Sequence, residues 1–418
     1  MNLEMRRAVR STARFFKSLI DNRESQDGIQ KGLRECEIVG LLHGFDLFEV
    51  EKKEKEVLLQ FCWKFRNSLE EFSTSVDRSL RYLDKIILPI VMASKEDKSY
   101  NPFAEIIEKY AMHILINKLE KDGYRLLPLG YSADLTLEYE DHILSIDIKT
   151  ANLENPSDFD NTINVGINQL THVARLRLGN RRKTLPDPFF VYPTLPPYFK
   201  FPDGRVKLVL TYGLMFVYPS YRDLIMSVRD EYNKLLSFFK DKVRKVLVEI
   251  MKKYSYERKE DIEKLLSRKP ESSRYSYEDL IADSVIRGIF LHEQARGELL
   301  KALGIGSQEL DIIDKFSSKL SELADNLRKK DVKPVAIIAI AIPNGLLKEK
   351  YIKYFVSGKN YAKSARYHYG KGIFEVIKER TNEEFPRVLF LDVNLKYLND
   401  LKKYFDDIVV LDYTLKRL

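Results

Sequence analysis

The chain has 418 residues, 44% of them hydrophobic and 32% charged, and a formal net charge of +8. That length supports a large core in two or three parts, and the basic balance permits binding of a polyanion. No run of about 18 apolar residues occurs, so no membrane span is expected. The first residues, Met1-Asn2-Leu3-Glu4-Met5-Arg6-Arg7, lack an apolar signal core. Cys36 and Cys62 are the only cysteines, which argues against a disulfide scaffold or a zinc site. The expected setting is cytoplasmic. Scarce glutamine beside plentiful Lys, Glu, Ile and Tyr hints weakly at a thermophile.

Residues 1–95 read as a helical region. Val9, Ala13, Phe16 and Ile20 recur at helical spacing, and residues 57–72 and 76–87 look like further amphipathic helices, the last ended or kinked at Leu88-Pro89. Arg6, Arg7, Arg10, Arg14 and Lys17 are better read as a solvated face than as phosphate contacts. Trp63 and Cys62 are core residues. A polar linker, Lys95 to Tyr100, opens a second region over 96–220. Asn101 as N-cap and Pro102 as first helical residue start a helix that runs to about Lys121 and buries Phe103, Ile106, Ile107, Tyr110 and Ile114. Asp122-Gly123 ends it, and Tyr124 to Leu129 forms a short strand or extended link.

A β-hairpin is expected next. Leu135, Leu137 and Tyr139 alternate with Thr136 and Glu138; Leu144, Ile146 and Ile148 alternate with Ser145, Asp147 and Lys149. With Glu140-Asp141 as a two-residue turn, Thr136 pairs with Ser145 and Asp134 with Asp147, and Asp134, Asp147 and Lys149 share one face. Glu-Asp is not a favoured turn dipeptide. Opposed carboxylates repel unless one is protonated or a cation lies between them. Mg²⁺ fits such a pair, since it uses one or two carboxylates plus water and phosphate. Lys149 could then hold the attacking water or neutralise charge on a phosphate. The chemistry implied is metal-assisted phosphodiester hydrolysis.

Asp134, twelve intervening residues, then Asp147-Ile148-Lys149 across a hairpin resembles the PD-(D/E)XK nucleases. Thr150-Ala151-Asn152 and Asn164-Val165-Gly166-Ile167-Asn168-Gln169 more narrowly resemble type II restriction endonucleases. The resemblance covers residues 101–175, and Ala133 stands where a proline often precedes the first aspartate. It implies an α/β (α+β) fold, with a core of mixed sheet flanked by helices. It also implies Asp134 and Asp147 as metal ligands, Lys149 as the catalytic lysine, and Mg²⁺ as cofactor with Mn²⁺ substituting. A further acidic residue comes from the preceding helix; Ala104-x-x-x-Glu108 with Ala111 and Leu115 matches that pattern better than the alternative, Glu105. Double-stranded DNA as substrate and a homodimer follow in the same way.

After a polar loop, Val165 to Leu178 is expected as a helix whose Asn168 and Gln169 contact substrate or hold the catalytic strand. His172 is read as structural. Arg175, Arg177, Arg181, Arg182 and Lys183 form the densest basic cluster, a candidate for DNA contact. The run Pro186 to Pro202 reads as an ordered loop, and Lys207 to Val217 as a buried strand. Residues 221–332 form a helical insertion or subdomain, with helices over 235–254, 277–290 and 310–327, suited to embracing DNA or to a dimer interface. Residues 333–418 complete the α/β core with strands at 335–342, 388–392 and 408–412 and a helix over 395–405. Asp392 and Asp412 are turn or cap residues. Between Ser357 and Gly372, glycines, bases and tyrosines interleave, and Lys359, Lys363 and Arg366 are candidate DNA contacts. The function that best unites these features is a type II restriction endonuclease. The alternatives are a structure-selective or repair nuclease of the same fold and, from another class, a non-catalytic DNA-binding protein.

Overall fold

The computed structural model describes residues 46–93, 104–127, 133–155, 159–160, 162–176, 190–254, 259–270, 275–329, 333–357, 364–369, 387–405, 408–411 and 416–417. The expected helix over 6–20, the linker before residue 101, the Asn101-Pro102 start and Asp412 lie outside them. The chain divides into two compact units. One takes the described residues of Met1–Ser75, Phe103–Pro219 and Lys333–Leu418, the other those of Val76–Pro102 and Ser220–Val332.

The first unit opens with α1 (Leu47–Arg66), whose N-cap Asp46 accepts from the Phe48 amide. One stripe of α1 (Val50, Val57, Leu58, Phe61, Cys62 and Phe65) is buried. This helix starts ten residues before the expected 57 and breaks at Asn67, where α2 (Leu69–Leu80) takes over. In the second unit, α3 (Leu83–Ala93) carries Pro89 inside it rather than ending there, and Arg229 secures the turn beyond by donating to the carbonyls of Val91 and Met92. Back in the first unit, α4 (Ala104–Glu120) stops before Gly123, whose φ of 93° suits a residue without a Cβ.

The strands that follow are β1 (Arg125–Leu126), β2 (Leu135–Glu138), β3 (His142–Asn152), β4 (Thr162–Gly166), β5 (Ala174–Arg175), β6 (Phe190–Val191), β7 (Tyr198–Lys200) and β8 (Val206–Tyr218). After the helical unit come β9 (Ala336–Ile342), β10 (Phe355–Ser357), β11 (Ser364–His368), β12 (Val388–Val393), β13 (Val409–Val410) and β14 (Lys416–Arg417). Among the described residues they make a mixed nine-stranded sheet in the order β1-β2-β3-β8-β9-β12-β13-β14, with β7 also on β8, and a five-stranded sheet in the order β4-β11-β10-β5-β6. The architecture is therefore mixed α/β, as expected, and β9 rejoins the sheet begun by the hairpin. Of the expected helix at 395–405, the structure keeps a 3-10 turn (Leu395–Tyr397) and a short α-helix (Leu398–Leu401) between the parallel strands β12 and β13.

The helix expected from Val165 to Leu178 does not form. Its described residues, 165–176, fall in the end of β4, a turn, and β5 with its flanks. Ile163 and Val165 alternate with Asn164, a strand period, and β4 pairs antiparallel with β11, a partner two hundred residues on that no local pattern reveals. Gln169 then caps the strand end by accepting from the Gly166 amide at 2.7 Å.

The large sheet is covered on both faces. On one, α1 lays Phe61 against Tyr212 and Phe65 against Phe216, and α4 packs on β3. On the other lies the strand-and-turn segment of the small sheet. The Ile163 side chain fills the space that a Cβ on Gly213 would need, and Thr211 donates to the Gln169 carbonyl. One fully buried arginine ties this unit together. Arg387 pairs with Glu54 at 2.6 Å, and Glu54 also accepts from the Asn344 amide. Burial pushes the neighbouring Glu51 upward, but Arg387, Lys350 and Tyr351 outweigh it and hold its pKa down at about 2.

The second unit is helical: α5 (Arg222–Tyr254), α6 (Lys259–Ser267), α7 (Tyr277–Leu291), α8 (Glu293–Ala302) and α9 (Ser307–Lys329). Ser276 and Asp279 form a reciprocal capping box at the start of α7. Helices α6 and α8 were not legible in the sequence pattern.

Two stability predictions follow from this packing. Gly213→Ala must displace Ile163, and the expected cost is about 1–3 kcal/mol, read as a lowered midpoint in chemical denaturation. Arg387→Met leaves Glu54 buried without its partner and should cost about 3–5 kcal/mol in the same assay, whereas adding Glu54→Gln should recover part of that loss.

Candidate active site

The hairpin adopts the expected register, with Leu135 opposite Ile146, Thr136 opposite Ser145 and Leu137 opposite Leu144. The unfavoured Glu140-Asp141 turn has outside support. Asp141 pairs with His142 Nδ1 at 2.7 Å and with Lys53 at 2.7 Å, and His142 Nε2 bonds the Tyr124 hydroxyl at 3.1 Å. Those contacts fix the turn without Gly or Asn.

β3 is an interior strand. Antiparallel β2 lies on one side, and β8 runs parallel on the other from His142↔Leu208 to Asn152↔Tyr218. The middle of the hairpin's polar face is thus covered, while its two ends stay open. Ser145 and Asp147 are 1% and 0% exposed, beneath the segment that brings Ile163 and Gln169 onto β8. Asp134, just before β2, is exposed, and its Oδ2 accepts from the Ile148 amide at 2.7 Å. That bond pins the Asp134 carboxylate to the catalytic strand. Lys149 Nζ donates to Asp147 Oδ1 at 2.9 Å, with its side chain 38% exposed. Asp147 Oδ2 is buried and has no hydrogen-bond partner.

Burial raises the Asp147 pKa to about 7, against the pull of Lys149 and with the charge of Asp134 adding to the rise. For Lys149, burial favours the neutral amine, but Asp147, Asp134 and Glu108 outweigh it and keep the ammonium protonated. Glu108 of α4 lies in the same field. Burial and then Asp134 raise its pKa, and the Thr150 hydroxyl reaches its Oε1 at 3.4 Å. Glu105 also lies on α4, outside the residues whose side chains are described.

These groups suit a divalent cation by their chemistry. Asp147 carries an orphaned buried oxygen, Asp134 is tethered beside it, and repulsion between the two is what a cation would relieve. Among the described residues, no three His, Cys, Asp or Glu side chains form a metal cage.

The other candidates separate. Asn168 is exposed on the turn after β4, and Gln169 is engaged in capping Gly166. Arg175 sits in β5 and Arg366 in β11, two strands of the small sheet separated by β10. Arg177, Arg181, Arg182, Lys183, Lys359 and Lys363 lie outside the described residues. His172 is structural, as expected: it is fully buried, stacks on Phe355 with ring centroids 3.9 Å apart, and burial drives its pKa down to about 3. Sequence reasoning missed Thr150, which reaches Glu108, and Gly213, which lies beside Asp147 in the register. A glycine inside the apolar run Tyr212-Gly213-Leu214 was an available sign of close approach.

A central hairpin with two aspartates, a lysine two residues beyond the second, and a glutamate from the preceding helix has the pattern of a PD-(D/E)XK core. More narrowly, residues 46–222 match the family described as the type II restriction enzyme MwoI, N-terminal domain. No curated protein sequence matches the chain. Two solved structures are similar at 12% identity. The restriction endonuclease BglI bound to its DNA recognition sequence has a TM-score of 0.36, covering 83% of this chain and 96% of that one. The tetrameric restriction endonuclease SfiI bound to cognate DNA has a TM-score of 0.35 at 12% identity, covering 90% and 94%.

The raised pKa of Asp147 makes a testable statement about stability without added metal. Its folded pKa of about 7 lies above the 3.8 of a free aspartate, so ionising it opposes folding. Stability should fall as pH rises from about 4 to 7, by an amount on the order of a few kcal/mol. Asp147→Asn should flatten that part of the profile and raise the melting temperature at pH 8, while abolishing any cleavage. An unchanged pH profile in this variant would refute the assignment.

Proposed function

We propose that the chain is a type II restriction endonuclease that hydrolyses phosphodiester bonds of duplex DNA at a specific sequence. Mg²⁺ is its metal, with Mn²⁺ able to substitute. The observation that carries this reading is the buried, unpartnered oxygen of Asp147 beside tethered Asp134, with Lys149 two residues on and partly exposed.

The residues divide the work. Asp134 and Asp147 would hold the metal, which supplies positive charge against the phosphate oxygens and makes water a better nucleophile at neutral pH. The strand fixes Asp147, and the Ile148 amide fixes Asp134, so both carboxylates are set before substrate arrives. Lys149 sits with its ammonium on Asp147 and its stem partly open. From there it can turn a proton donor toward the phosphate oxygen that gains charge, or orient the attacking water. Glu108, its pKa raised, is placed to take a proton from that water.

One such site per chain cuts one strand, so the proposed form is a homodimer whose two-fold axis matches that of the DNA. Asn168, Arg175, Arg366 and the basic residues outside the described segments are the proposed DNA contacts. Among the described residues no helix is long and apolar enough to cross a membrane, and the proposed setting is the cytoplasm.

The test is digestion of a long phage DNA of known sequence by the purified chain, with and without Mg²⁺. Discrete fragments should appear only with metal, and their ends should share one sequence. Asp134→Ala and Lys149→Ala should lower the rate by at least about a hundredfold. A metal-dependent smear would point instead to a repair nuclease, and DNA binding without cleavage under any metal would sink the enzymatic reading.

A further inference from the structure

The helical unit holds a cavity of about 410 Å³, a volume within the range of small-molecule sites. Helix α5 lines it with Arg229, Tyr232 and Leu236, and α7 with Leu280, Asp283 and Arg287. The spacing i, i+3, i+7 puts each trio on one face of its helix. Leu280 and its neighbour in the lining, Leu291, are exposed, so the cavity opens to solvent between apolar lips. Tyr232 is buried at its wall.

The charges in this lining do not cancel. Asp283 is engaged on both oxygens, by the Tyr232 hydroxyl at 2.5 Å and by Arg287 at 2.8 Å. Asp279, also in the lining, is held by Lys240 at 2.8 Å and by the Ser276 hydroxyl at 2.7 Å. Arg229 has no carboxylate partner among the described residues. Its Nη1 donates to the carbonyls of Val91 and Met92, and its guanidinium lies over the Tyr232 ring, 4.8 Å from the centroid. Its Nε and Nη2 have no acceptor among the described residues. Those two groups form one edge of the guanidinium, the fork that grips two oxygens of a carboxylate or a phosphate.

We propose that this cavity binds a small organic anion, a carboxylate or phosphate ester on an apolar body about the size of one ring. The head group takes the open edge of Arg229, and the body lies against Tyr232, Leu236 and Leu280. An amine would meet an arginine and find both carboxylates already engaged. A neutral ligand would leave the Arg229 edge unanswered in a partly desolvated place. The proposal does not depend on the cleavage reading.

The experiment is calorimetric titration of the full chain with benzoate and phenyl phosphate, and with benzyl alcohol as the neutral counterpart. At least one anion should bind at a single site about tenfold to a hundredfold more tightly than the alcohol, and the tighter one names the head group. Arg229→Gln should erase that preference and leave the alcohol's affinity unchanged. Leu236→Trp and Leu280→Trp, which narrow the cavity from two helices, should weaken every probe by about tenfold or more. Each variant is checked for an unchanged melting temperature. Should Arg229→Gln fail to fold, the salt dependence of the wild type decides, since anion binding must weaken as salt rises while alcohol binding does not. Equal affinity for anions and alcohol, or no saturable binding of any probe, overturns the proposal. So does anion binding that survives both Trp variants unchanged, because the anion then sits elsewhere.

Discussion

The central constraint is the burial of an acidic strand in the middle of a sheet. β3 takes hydrogen bonds from β2 on one side and β8 on the other, so its backbone has no freedom to move its side chains. That rigidity holds Asp147 at 0% exposure with one oxygen on Lys149 and the other on nothing. A carboxylate without a full set of partners in such a place opposes folding, and its pKa of about 7 expresses that opposition. The rest of the unit compensates with apolar contact on both faces of the sheet and with the buried Glu54–Arg387 pair. Strain of this kind is common where a site must be ready before its ligand binds.

Electrostatics then distribute the roles. Asp147 and Glu108 are both raised, and Lys149 is kept charged by three acidic neighbours. The ammonium offsets only part of that negative charge. A cation and a phosphate arriving together would satisfy the orphaned oxygen and the lysine at once. The same desolvation that costs stability in their absence strengthens each of those interactions in their presence.

Much of this was legible beforehand because it is local. Alternation over residues 135–148 fixed the hairpin, the facing side of both aspartates and even the register, since a slip of one residue would expose Leu135, Leu144 and Ile146. The apolar runs at β8, β9 and β12 could only be buried strands. The exceptions have a common cause. The helix expected from Val165 became strand and turn because β11 claims its hydrogen bonds from two hundred residues away. α1 began earlier than expected because its first turns bury Val50 and Glu54 against tertiary partners rather than on a simple stripe. Pro89 sits within α3, whose last turn Arg229, distant in sequence, caps through the carbonyls of Val91 and Met92.

The sequence by itself determined which residues could do the chemistry. Asp134, Asp147 and Lys149 share a face by the two-residue period of a strand, and the resemblance to the PD-(D/E)XK nucleases added Glu108, with Glu105 as the alternative. Only the tertiary structure decided that Asp147, in the middle of this face, is enclosed. The small sheet, assembled from segments far apart in the chain, lays Ile163 over Gly213 and closes the space around Asp147. Periodicity records which way a side chain points, whereas what covers it depends on long-range pairing, and it is that cover which raises the Asp147 pKa.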